Sequence, residues 1–172
     1  MPDYPHHFET MADVPAAPGE LFGAVDDPAS LAGHMMGSSM MMAGSRMRLG
    51  TDEGGGRTVG SKIRMAGSIL GLRLALEEVV IERAPPFRKV WETVGEPHLL
   101  VIGGYRMGFE ITPRANGSRL TVFIDWRDPG PPWRWLGRLL GRAYAKWCAE
   151  RIAGGAAESF RVRQARSAPA TS

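Results

Sequence analysis

The chain has 172 residues, 44% hydrophobic and 23% charged, with a formal net charge of +3. That is long enough for one domain with its own core and too apolar for a disordered chain. A single cysteine, Cys148, excludes an intramolecular disulfide and a multi-cysteine zinc site; with no secretory leader and no apolar run of about 18 residues, a cytoplasmic location is expected.

HHFETMADV alternates from His6 to Val14 and predicts a strand, which Pro15 and Pro18 end. GELFGAVDDPASLAGHM predicts two short helices. Leu21, Phe22 and Val25 form the apolar face of the first, and Asp27–Pro28 is the N-cap and first-turn proline of the second. Six strand-like runs follow, SRMRLG, SKIRMAGSI, LRLALEEVVIER, RKVWETV, YRMGFEIT and RLTVFIDW, and their mostly short separators predict antiparallel hairpins. In LRLALEEVVIER the apolar parity slips at Glu77–Glu78, which predicts a β-bulge or a bend there.

After DPGPP the period returns to that of a helix. On a wheel, Trp133, Leu136, Leu140, Tyr144, Trp147 and Cys148 share one side, which Arg151 continues. Arg134, Arg138, Arg142 and Lys146 recur every fourth position on the other. The helix is expected to end near Gly154–Gly155 or to continue to Phe160. Residues 7–162 then form a single domain and 163–172 a disordered tail. A single sheet with one apolar face needs a cover, and only this helix is large enough to supply it.

Four stretches together carry a resemblance: VPAAPGELFGAVDDPASLAGHM, ERAPPFRKVWETVG, YRMGFEITPRANGSRLTVFIDW and YAKWCAERI. From about Phe8 to Phe160 the chain resembles the START/Bet v 1-like (SRPBCC, helix-grip) superfamily, specifically its bacterial polyketide cyclase/dehydrase and lipid-transport branch. The resemblance implies an α+β helix-grip fold: a seven-stranded curved antiparallel sheet wrapped around a long C-terminal helix, with two short helices between strands 1 and 2. It also implies a cavity that binds lipids, sterols, polyketides or other apolar molecules. Some members are aromatases or cyclases, but none of the four stretches is a catalytic signature.

The inward positions of the last two strands and the helix give the expected lining of that cavity: Tyr105, Met107, Phe109, Leu120, Val122, Ile124, Trp126, Leu136, Leu140 and Tyr144. Residues 33–47, GHMMGSSMMMAGSRM, hold six of the ten methionines. Consecutive thioethers diverge rather than converge on a metal, so Met40 and Met42 read as part of an apolar flap over one end of the cavity, or as packing of helix on sheet. TDEGGGRTVG lacks the Gly-Lys-Ser/Thr ending of a phosphate loop and reads as a hairpin loop. His6, His7, His34 and His98 show no metal spacing, and no metal, cofactor or nucleic acid is expected.

A small apolar ligand is therefore the expected partner. Catalysis would need an ionisable group in the cavity, and the candidates are Glu77, Glu78, Tyr105 and Arg151. One of the two glutamates faces the cavity, or both sit on a solvent-facing bulge; Arg151 meets a ligand's polar head, or its stem snorkels to solvent. Trp135 and Leu139 fall on the basic side of the helix, where they suit transient membrane-surface contact, a dimer contact or scattered exposure.

Overall fold

The computed structural model describes residues 3–30, 46–69, 72–99 and 101–167; residues 33–45 of the methionine run, with Met40 and Met42, lie outside these residues. Strand β1 (His6–Val14) is followed by helix α1 (Pro18–Val25), and a second helical turn begins at 28. Next come β2 (Arg46–Thr51), β3 (Lys62–Ile69), β4 (Leu72–Ala84), β5 (Arg88–His98), β6 (Tyr105–Arg114) and β7 (Gly117–Trp126), and then helix α2 (Arg134–Ser167). All seven strands form one antiparallel sheet in the order β1-β7-β6-β5-β4-β3-β2.

The period-two pattern produces cross-strand rows on the inner face. One row runs Phe8, Ile124, Met107, Trp91, Val80, and the next runs Thr10, Val122, Phe109, Lys89, Arg83. Met107, Phe109, Leu120, Val122, Ile124 and Trp126 are all buried in one core cluster with Leu21, Phe22 and Val25 of α1. The Phe22 and Phe109 rings meet edge to face at 5.6 Å.

Helix α1 is held to the sheet at its C-terminal end. Lys89, fully buried, donates from Nζ to the main-chain oxygen of Asp26 at 2.6 Å and pairs with its carboxylate at 2.8 Å. A cation there faces the negative end of the helix dipole. Arg83 adds a second pairing to Asp26 at 2.8 Å. Asp27 caps the following turn, accepting from the Ser30 amide at 3.1 Å, the N-cap geometry expected of Asp-Pro.

The expected bulge at Glu77–Glu78 is corrected. Leu76, Glu78 and Val80 keep one parity, pairing with Met65, Ile63/Thr93 and Trp91. The extra residues between Ala75 and Glu77 lie on the partner strand β5, where Gly95 takes a positive φ of 70°. The extra residue of β4 comes later, between Val80 and Glu82.

The inner side of α2 also differs from the wheel. In its first half the buried residues are Gly137, Gly141, Ala145, Cys148 and Ala149, followed by Ile152, Ala153, Ala156, Ala157 and Phe160. A Cβ at Gly137 would lie 2.2 Å from Pro129 Cδ, and one at Gly141 would lie 3.0 Å from the Val101 carbonyl. Close approach to the segments around Val101 and Pro129 therefore selects the smallest side chains in these turns and turns the largest away. Trp133, Leu140 and Trp147, read as inward, are partly exposed, and Leu136 is half-buried. The helix also continues past Phe160 to Ser167, so 163–167 of the expected tail are helical. No helix among the described residues is long and apolar enough to cross a membrane.

Candidate functional site

Helix α2 packs chiefly on β1 and β7, and α1 on β6 and β7. Among the described residues, the inner face of β2–β4 lies beside this cover rather than beneath it. The row Leu49, Met65, Leu76 on that face is apolar yet incompletely buried, with Leu49 37% exposed. One row further on, the face changes character: Ile63, Glu78 and Thr93 are cross-strand neighbours, and Glu78 is buried.

Glu78 is surrounded by donors and apolar walls. The Tyr105 hydroxyl donates to its Oε1, and the Trp91 side chain also hydrogen-bonds to its carboxylate. Burial nevertheless dominates and pushes the carboxyl up to about 7, against the lowering effect of Tyr105, Trp91 and the nearby Lys89 charge. A group with that value exchanges its proton in the neutral range. The Tyr105 phenol is raised well above its ordinary value by burial first and by the Glu78 charge second, so it stays a proton donor.

Tyr105 is positioned by a side chain. The β5–β6 ladder stops at Glu92 and Arg106, and Thr93 then takes over. Its Oγ1 accepts from the Tyr105 amide at 3.0 Å. From α2, Tyr144 and Cys148 approach the same region and bond to each other. Burial pushes the Cys148 thiol up to about 12, so it is a small apolar side chain rather than a nucleophile.

The remaining candidates fall elsewhere. Glu77 points to the outer face and pairs with Lys62 at 2.9 Å and Arg64 at 2.6 Å, so it does not reach the interior. Arg151 is exposed, its guanidinium 6.0 Å from the Trp147 ring, because the helix turns its glycine and alanine side inward instead. Leu140 is also outside, 42% exposed. His6 and His7 diverge as adjacent strand residues must, His6 to Asp128 at 3.2 Å and His7 to Asp125 at 2.5 Å on the outer face. In the β2–β3 loop, Asp52 accepts from the Gly54 and Lys62 amides and from Ser61, so a carboxylate occupies the position an anion would need. A separate cleft of 580 Å³, lined by residues including Asp13, Arg114, Asn116, Arg119 and Arg161, contains none of the expected lining residues.

Trp91, Thr93, Lys89, Leu49, Met65 and Leu76 were not among the expected site residues. Strand parity in RKVWETV carries the signal for three of them, since it sets Lys89, Trp91 and Thr93 on one face.

No family model and no curated protein sequence matches the chain. Solved structures do. TTHA0849 from Thermus thermophilus is similar at 15% identity and a TM-score of 0.63, over 95% of this chain and 100% of its own. Protein CV1439 from Chromobacterium violaceum is 17% identical with a TM-score of 0.57, over 87% and 96%. Ara h 8.0201 is 15% identical with a TM-score of 0.57, over 88% and 97%. The chain has the Bet v 1-like helix-grip fold. In this helix-grip domain the grip is asymmetric: α2 lies close on β1 and β7, while β2–β4 keep apolar inner surface partly exposed.

Proposed function

We propose that the protein binds a small apolar molecule with one hydrogen-bonding group, in the space between α2 and the inner face of β2–β4. The observation that carries this reading is the sequence of rows on that face. Half-exposed Leu49, Met65 and Leu76 lead to a buried Glu78–Tyr105 pair. Apolar burial supplies affinity, roughly 0.8 kcal/mol per CH₂. The pair supplies orientation, since protonated Glu78 donates to a carbonyl and ionised Glu78 accepts from a hydroxyl. A lipid or polyketide-like molecule fits this description.

The test is native mass spectrometry of the protein purified from its own host, together with titration of the neutral fluorophore N-phenyl-1-naphthylamine. A co-purifying apolar molecule of a few hundred daltons, and probe binding weakened at least tenfold by Met65→Glu in a protein that still folds, are expected. No bound molecule and probe binding indifferent to Met65→Glu would overturn the reading.

The same pair favours a second reading, an acid/base enzyme of the cyclase or dehydratase type. A carboxyl near neutrality beside a phenol donor can move a proton next to a carbonyl while stabilising the developing oxyanion. Glu78→Gln separates the two: a binding protein retains its ligand, whereas an enzyme retains substrate and loses turnover.

A further inference from the structure

The start of α2 leaves one surface unaccounted for by the fold or the ligand reading. Because Gly137 and Gly141 are pressed against Pro129 and Val101, the opposite side of the helix faces solvent. That side carries Trp135, 63% exposed, and Leu139, 69% exposed, with Leu140, Trp133 and Trp147 partly exposed alongside. The same turns hold Arg134, Arg138, Arg142 and Lys146, and no acidic residue occurs between Asp128 and Glu150. Two of these cations have partners, Arg138 to Asp128 at 3.9 Å and Lys146 to Glu150 at 3.8 Å. Such long, exposed pairs hold their charges only weakly.

We propose that the first turns of α2 dock on an anionic lipid bilayer. Indole and leucyl side chains on a helix lying along the interface enter the headgroup–acyl boundary, and guanidinium groups beside them meet lipid phosphates. Charge decides the occupant. A second copy of this chain set face to face would bring the same four cations together, and a purely polyanionic partner would leave Trp135 and Leu139 without an apolar contact.

The experiment is co-sedimentation of the full chain with phosphatidylcholine vesicles, with and without one quarter phosphatidylglycerol. Wild type is compared with Trp135→Ala/Leu139→Ala and with Arg138→Glu/Arg142→Glu. All four positions are exposed, and a circular-dichroism melt verifies that each variant folds. Binding at least tenfold tighter to the anionic vesicles, weakened at least tenfold in each variant and by 0.5 M salt, is expected. Absent binding, equal binding to both vesicles, or binding unchanged by both variants would overturn the proposal. So would a dimer in sedimentation velocity that Leu139→Glu disperses, which would assign the face to a second copy. If a variant fails to fold, the wild-type comparison across lipid charge and salt still decides. None of these readouts depends on the interior ligand.

Discussion

The Tyr105 hydroxyl and the Glu78 carboxylate are hydrogen-bonded although their strands are not neighbours. Glu78 is on β4, Tyr105 on β6, and the contact spans β5. Thr93, between them on β5, pairs in register with Glu78 and bonds to the Tyr105 main chain. A proton-exchanging group is thus built into the sheet rather than hung from a loop, with three strands setting its geometry.

Glu78 should make stability fall as pH rises through the neutral range. Its folded value, about 7, lies above the ordinary 4.5, so between those limits the native state holds a proton that the unfolded chain has lost. The stabilisation is complete below about 4.5 and is lost as pH rises through about 7, on the order of 3 kcal/mol in total. Urea unfolding of wild type and Glu78→Gln at pH 5, 6, 7 and 8 checks this. The difference between the two proteins should change across that window. Parallel curves would show that Glu78 does not titrate there.

Tyr105→Phe should shift this behaviour upward. The hydroxyl lowers the Glu78 carboxyl, so its removal raises the value above about 7 and moves the declining limb to higher pH. The cost, roughly 1–3 kcal/mol for an unmet buried acceptor, should be larger at pH 8 than at pH 5, because an ionised carboxylate loses a charge-assisted bond. The pH series on Tyr105→Phe provides the measurement.

Lys89→Met tests the clamp on α1. Burial alone would raise the Asp26 carboxyl, but hydrogen bonds from Arg83 and Lys89 outweigh it and hold the group below the ordinary carboxylate range. Its contribution is present above the unfolded value and lost as pH falls through the folded one. Without Lys89, Arg83 remains, so a loss of roughly 2–4 kcal/mol at pH 7 is expected, less than full rupture of a buried pair. Acid unfolding should also begin at higher pH, as tryptophan fluorescence would report.

The strands were legible because every inward position of YRMGFEIT and RLTVFIDW carries an apolar or aromatic side chain, and the observed burial bears this out at Tyr105, Met107, Phe109, Leu120, Val122 and Ile124. The site was less so, because its residues oppose the hydrophobicity rule that finds the inner face. Glu78 and Lys89 are polar groups at inward positions, and a reading that sorts by apolarity interprets the first as a bulge and passes over the second. Their partners Trp91, Tyr105 and Asp26 lie 13 to 63 residues away in sequence, and no local pattern reports such pairing. Helix α2 misled for a different reason. The wheel weighted large apolar residues, whereas close packing on the sheet rewards their absence.

That last point gives a paired test on glycines of the same helix. Intrinsic propensity favours alanine over glycine by about 1 kcal/mol at any helix interior position. At Gly154 a Cβ meets nothing within 4 Å, so Gly154→Ala should raise stability by up to about 1 kcal/mol. At Gly137 the same methyl would lie 2.2 Å from Pro129 Cδ and 2.8 Å from Pro129 Cγ, atoms of a ring that cannot rotate away. The helix must then lift from the segment preceding it, and strain of this kind costs roughly 1–3 kcal/mol, more than the propensity gain. Thermal melts of the two variants should therefore move in opposite directions from wild type. Two increases would mean that α2 does not approach Pro129 this closely, and the outward orientation of Trp135 and Leu139 would lose its structural cause.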